Sequence, residues 1–149
     1  MRKLTHILFG SGAAIYSLSL FTQTTMAHII VAILYSILPD SDLKYKHRRI
    51  MHNVFSLVFF TIGIYCVVAK IKALGIQIPN TSAGTIAFVG FIAYLTHILL
   101  DSITKRGVDL LWPITKRSFG PKLVSSNNKG LNIIFSIVGI MLIILSLIK

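Results

Sequence analysis

Five apolar runs, at residues 6–21, 26–39, 53–69, 83–100 and 131–148, are joined by short connections that carry most of the charge. A full span of a hydrocarbon core ~30 Å thick takes ~20 helical residues, with ~17 near the lower limit. The last three runs reach that length and the first two are short. Only Thr22, Gln23, Thr24 and Thr25 separate the first two, which predicts a tight helical hairpin that thins the bilayer or stops at interface depth. A chain that is 54% hydrophobic and 13% charged, with mean hydropathy +0.79, lies outside the range of ordinary soluble domains. The expected fold class is an all-α, polytopic membrane helical bundle. It has about five transmembrane or membrane-embedded helices in a single integral-membrane domain over residues 1–149.

Arg2-Lys3 followed by an apolar stretch and Thr25-Met26-Ala27 also resembles a secretory signal with a small-x-small cleavage site. Against that stand His6 at the head of the run and the small-residue face of Gly10, Gly12, Ala13 and Ala14, which suits close helix packing. With the N-terminus inside, twelve basic residues fall on the cytoplasmic side: Arg2, Lys3, Lys44, Lys46, Arg48, Arg49, Lys105, Arg106, Lys116, Arg117, Lys122 and Lys129. Three, Lys70, Lys72 and Lys149, fall on the other. The bias predicts five spans in a plasma membrane of prokaryotic type, with the C-terminus outside. The single cysteine, Cys66, lies within an apolar run, which excludes an intrachain disulfide and a thiolate cluster and assigns it to packing.

Against fifteen Lys and Arg stand four acidic residues, Asp40, Asp42, Asp101 and Asp109, with no glutamate. Three of the four fall near histidines. His97 and Asp101 end the fourth run four residues apart, a spacing that stacks an imidazole and a carboxylate on one helical face. The alternative is a helix-end histidine hydrogen-bonded to a carboxylate one turn on. Asp40 and Asp42 follow Pro39, where extended backbone would send both carboxylates the same way toward a cation; a helix-terminating Asx turn is the other possibility. His47, Arg48, Arg49 and His52 occupy the next connection, where the arginines suit a phosphate and the histidines suit ligation or acid–base work. In a five-span topology His6, Asp40, Asp42, His52, His97 and Asp101 all arrive at one membrane face. His28 falls at the opposite end. Trp112-Pro113, between basic pairs, predicts a short interfacial segment near 108–116, with Gly107 permitting a tight turn. Asp109 is expected to pair with a neighbouring Lys or Arg. The last run has no ionisable side chain and reads as an anchor.

The formal charge of +11 suits anionic lipid or a phosphate-bearing substrate. Nucleic acid is a weaker partner, because aromatics are not interleaved with the basic residues as a stacking platform requires. A phosphate-cradling Gly-rich loop, a His-Glu-x-x-His motif and a nucleophile elbow are all missing.

These motifs resemble the YdjM-like family of LexA-regulated, membrane-bound predicted metal-dependent hydrolases. The resemblance rests on Thr5-His6 with Gly10, on Leu38-Pro39-Asp40-x-Asp42, and on His47-Arg48-x-x-x-His52. It continues in His97-x-x-x-Asp101-x-x-Thr104-x-x-Gly107 followed by Leu111-Trp112-Pro113. The family's His-Arg-Gly-x-Thr-His-Ser stands here as His47-Arg48-Arg49-Ile50-Met51-His52-Asn53, and the connection from Asp42 to His47 is short. The family is distantly similar to zinc phospholipase C and single-strand nuclease phosphoesterases, which implies a phosphodiester or phospholipid substrate.

The expected function is a metal-dependent hydrolase. His6, Asp40, Asp42, His52, His97 and Asp101 would hold one or two divalent cations, Zn²⁺ first and Mn²⁺ or Mg²⁺ as alternatives. Arg48 and His47 are the candidate catalytic residues, and Arg48, Arg49 and Thr104 would contact substrate. Membrane lipids are the surrounding partner. The alternative is a non-enzymatic membrane protein that binds a cation structurally, moves ions or protons, or docks a partner through its basic loops.

Overall fold

The computed structural model describes residues 1–45 and 50–148 and, within these, all side chains except those of 42–45. Among the described residues the chain forms five α-helices and no strand: α1 (Lys3–Ser19), α2 (Met26–Ile37), α3 (Val54–Ala73), α4 (Ala83–Ser102) and α5 (Lys129–Leu147). Each coincides with one of the five apolar runs. Of these, α3, α4 and α5 are long and apolar enough to cross a membrane.

The helix starts follow from local chemistry. Ser82 caps α4 by accepting the Thr85 N–H at 3.0 Å, and Asn128 caps α5 by accepting that of Leu131 at 3.0 Å. At the head of α2 the Thr25 N–H donates to His28 Nδ1 at 3.1 Å, so His28 Nε2 carries the proton it shares with Thr85 Oγ1 at 3.0 Å. That bond ties α2 to α4 at the end where α1 turns into α2.

Helix α4 is the centre of the bundle and packs on α1, α2 and α3. Its buried face (Ile86, Val89, Ala93, Tyr94, Ile98) meets Ala14, Ile15 and Leu18 of α1 and Ala32 and Tyr35 of α2. Helices α3 and α5 turn most of their apolar surface outward, with Phe59, Ile62, Ile134 and Met141 more than half exposed, as lipid-facing helices do. Cys66 is among the exposed residues of α3.

The small-residue face of α1 has two partners. A Cβ at Gly10 would strike the Ser36 hydroxyl of α2, and a Cβ at Gly12 would strike the carbonyl of Gly139 on α5. Backbones this close gain dispersion contacts that larger side chains would forbid.

One connection differs from expectation. The backbone at 40–42 is not extended: Leu38–Tyr45 continues α2 as a 3₁₀-helix. Pro39 falls in the first turn of that element, where no N–H is required, so the proline lets the helix run on instead of breaking it. The segment near 108–116 is built of turns. The loop from 103 to 128 is closed by two isolated bridges, Thr104 with Val124 and Val108 with Phe119. Gly107 (φ 64°) and Gly120 (φ 124°) supply two of the three positive-φ positions in this loop, and Lys122 (φ 53°) is the third.

Candidate metal centre

Odd helices run away from one end of the bundle and even helices return to it. His6 of α1, Asp40 after α2, His52 before α3, and His97 and Asp101 of α4 therefore meet at that end. One ligand atom from each of Asp40, His52, His97 and Asp101 lies within 4.8 Å of the other three. His52 Nε2 is 3.4 Å from Asp101 Oδ2 and 3.9 Å from Asp40 Oδ1. His97 Nε2 is 3.7 Å from Asp101 Oδ2 and 3.6 Å from Asp40 Oδ1. His6 flanks this set: its ring stacks on that of His97 with centroids 3.8 Å apart, and its Nε2 is 3.2 Å from Asp101 Oδ1. The N-terminal ammonium of Met1 also reaches Asp101 Oδ1, at 2.5 Å.

The His97 imidazole is fixed from behind. His97 Nδ1 lies 2.7 Å from the main-chain carbonyl of Ser36. A carbonyl only accepts, so Nδ1 carries the proton and Nε2 presents its lone pair to the carboxylates. Among the described residues that buried Nε2 has no hydrogen-bond partner. An orphaned buried lone pair is costly unless something electrophilic takes it up. Helix α1 reaches Ser36 because position 10 is glycine.

His52 stands between two anchored neighbours. The Tyr94 hydroxyl of α4 donates to the Met51 carbonyl at 2.5 Å, while Asn53 caps α3 through the Ser56 N–H at 2.9 Å and donates to the Ile50 carbonyl at 2.7 Å. The asparagine thus caps as well as the serine of the family motif would. Val54 N–H donates to the Leu110 carbonyl at 3.0 Å, tying this corner to the 103–128 loop.

The donor set fits a divalent cation. Two carboxylates cancel its charge, two neutral imidazoles add nitrogen ligands, and the mixed N/O set suits Zn²⁺ as well as harder ions. Burial pushes the Asp40 carboxyl above its ordinary value; the nearby Asp101 carboxylate adds to that, and His6, His52 and the terminal ammonium oppose it.

Other sequence candidates stand as follows. The Asp42 side chain, His47, Arg48 and Arg49 lie outside the described residues. Thr104 is buried, and its hydroxyl donates to the Asp101 carbonyl at 2.7 Å, closing the end of α4 behind the site. His28 is at the opposite end, as expected. One contributor was not foreseen: Asn132 makes α5 more than an anchor. Its Oδ1 accepts from Thr5 Oγ1 at 2.8 Å and from the Arg2 N–H at 2.9 Å. Its Nδ2 donates to the carbonyls of Ser126 at 3.0 Å and Asn128 at 2.7 Å. An amide within an otherwise apolar run was the available signal.

A family profile described as the YdjM inner membrane protein matches residues 1–148. Two curated proteins, both called inner membrane protein YdjM, from Escherichia coli (strain K12) and Shigella flexneri, are each 30% identical over 143 residues. Each alignment covers 85% of this chain and 72% of the relative. No solved structure matches. A chain matched over nearly its whole length by that profile, with helices able to cross a membrane, belongs to the YdjM family of membrane proteins.

Proposed function

We propose that this chain is a membrane-embedded, metal-dependent hydrolase acting on a phosphodiester at its basic end. The observation that carries the reading is the convergence of Asp40, His52, His97 and Asp101 within 4.8 Å, with the His97 Nε2 lone pair buried and aimed among them. Ionisable groups at the ends of membrane helices are costly to bury and tend to be kept for function.

When bound, a divalent cation supplies Lewis acidity, lowering the pKa of a water to ~7 and drawing charge from a phosphoryl oxygen. The chain's own residues do the rest. Asp40 and Asp101 would balance the cation's positive charge. His52 and His97 would hold it with their nitrogens, His97 oriented through Ser36. His6, stacked on His97 and beside Asp101, is placed to take a proton from the attacking water and return it to the leaving alkoxide. The water oxygen forms a bond to phosphorus as the ester P–O bond breaks, and the products are a phosphomonoester and an alcohol. Arg48 and Arg49 are assigned to the phosphate oxygens by their chemistry. The charge bias supports a cytoplasmic position for this end.

The test is elemental analysis of protein purified without chelator, together with hydrolysis of a soluble phosphodiester after adding Zn²⁺ or Mn²⁺. Metal bound near one equivalent, lost in His97→Ala and Asp101→Ala, with hydrolysis lost alongside it, is the expected result. Protein that holds no metal and cleaves nothing ends the proposal. Metal without hydrolysis leaves a cation-binding membrane protein.

A further inference from the structure

On the α1–α2 side of the bundle a groove of about 470 Å³ opens beside Asp40. Leu34, Ile37 and Leu38 give it an apolar wall, and Lys3, Asp40 and Ser41 supply its polar lining. The three apolar residues fall at i, i+3 and i+4, one face of α2. That face continues toward the middle of the helix through Ile30 and Ile33, which are exposed with Leu34. The groove therefore leads from an exposed apolar face of α2 to a residue of the candidate metal centre.

A water-soluble phosphodiester has no use for such a wall. Nor does the groove suit a nucleobase: its aromatic residue, Tyr35, is buried, donates its hydroxyl to the Phe60 carbonyl at 2.9 Å and packs edge-on against Tyr94. No stacking face is left for a base. A hydrocarbon chain matches the apolar wall, and the Lys3 ammonium matches a phosphate where that wall ends. The volume falls within the ~300–1,000 Å³ range of ligand sites.

Building on the hydrolase reading above, we infer that the substrate is a phospholipid drawn sideways from the bilayer. One acyl chain lies along Leu34, Ile37 and Leu38, with its phosphate at Lys3 and its phosphodiester facing Asp40.

The test uses full-length protein in phosphatidylcholine vesicles containing phosphatidylglycerol with a photoactivatable group in one acyl chain. Adducts are expected on the 34–38 stretch in clear excess over the exposed face of α3. Leu34→Trp and Ile37→Trp, which fill the groove from an outward face, remove that excess, and Ile62→Trp on α3 does not. Lys3→Gln lowers the yield about ten-fold, the scale of one charge-assisted hydrogen bond. Adducts spread evenly over α2, α3 and α5, or unchanged in both tryptophan variants, overturn the inference. Labelling of the groove without cleavage of lipid or of bis(p-nitrophenyl) phosphate sinks the hydrolase reading and leaves the lipid site standing. Cleavage of the soluble ester or of an oligonucleotide without groove labelling does the reverse.

Discussion

His97 Nδ1 donates across the α2–α4 interface to the Ser36 carbonyl at 2.7 Å, and this bond decides which nitrogen of the ring faces the carboxylates. Outer contacts of this kind fix the tautomer of metal-ligating histidines, and their loss typically costs ~10–100-fold in affinity. Removing the ring itself costs more. His97→Ala is expected to weaken Zn²⁺ binding by more than ~100-fold. It also deletes the surface on which His6 stacks. Calorimetric titration of Zn²⁺ into chelator-stripped protein measures this, and wild-type affinity in His97→Ala would remove His97 from the ligand set.

Asn132 holds the start of α1 where His6 needs it. Replacing it by leucine takes the acceptor from the Arg2 N–H and leaves the Thr5 hydroxyl only the main-chain carbonyl of residue 132, at 3.4 Å. Each unsatisfied buried group costs ~1–3 kcal/mol. Asn132→Leu is therefore expected to lower the Tm in detergent and to weaken metal binding, although it touches none of the candidate ligands. Asn132→Asp is expected to keep the two acceptor bonds and lose those to the Ser126 and Asn128 carbonyls. A leucine variant as stable as wild type in thermal unfolding would show that α5 is an anchor after all.

These two residues mark the boundary of what the sequence discloses. The apolar runs give the helices because membrane spans are long, uniform and set by a single length. The arrival of His6, Asp40, His52, His97 and Asp101 at one end then follows from counting crossings. Asn132 was hidden because its partners, Thr5 and Arg2, lie 127 and 130 residues away. No local pattern encodes such a pairing. The small face of α1 was visible, but its partners Ser36 and Gly139 were not. The backbone after Pro39 is ambiguous in the sequence for a different reason: a proline both ends helices and starts them, and only its position in the turn decides which.

Burial raises the Asp40 carboxyl above its ordinary value, and this has opposite consequences with and without metal. An acid that binds its proton more tightly in the folded state stabilises that state below its unfolded pKa of ~3.9, and the contribution is lost as pH rises through the raised value. Metal-free protein should therefore gain stability from Asp40 as pH falls through that window. Metal-loaded protein should lose its cation, because ligation needs an ionised carboxylate and neutral imidazoles. Thermal unfolding between about pH 4 and 7, with and without chelator, separates the two slopes. In Asp40→Asn the Asp40 part of the metal-free slope should vanish. Identical slopes in the variant and wild type would show that this carboxyl does not titrate as described.

The crossing of α1 and α5 is set by two glycines, and its effect reaches the site through the first turn of α1. A Cβ at Gly139 would run into the Leu8 carbonyl and the Phe9 nitrogen, both backbone atoms that no rotamer change can move aside. Gly139→Val must therefore push α5 off α1. Overpacking of this kind costs ~1–3 kcal/mol even where side chains can adjust, so the loss here should sit at or above that range. Because Asn132 lies two turns before Gly139 on α5, separation should also loosen its hold on Thr5 and Arg2, and with them the placement of His6 against the ligand candidates His97 and Asp101. The expected outcome is a lower Tm in detergent together with weaker Zn²⁺ binding. Ile134→Val, an outward-facing change on the same helix, should alter neither. If Gly139→Val keeps wild-type metal affinity while losing stability, the helix crossing supports the fold without supporting the site.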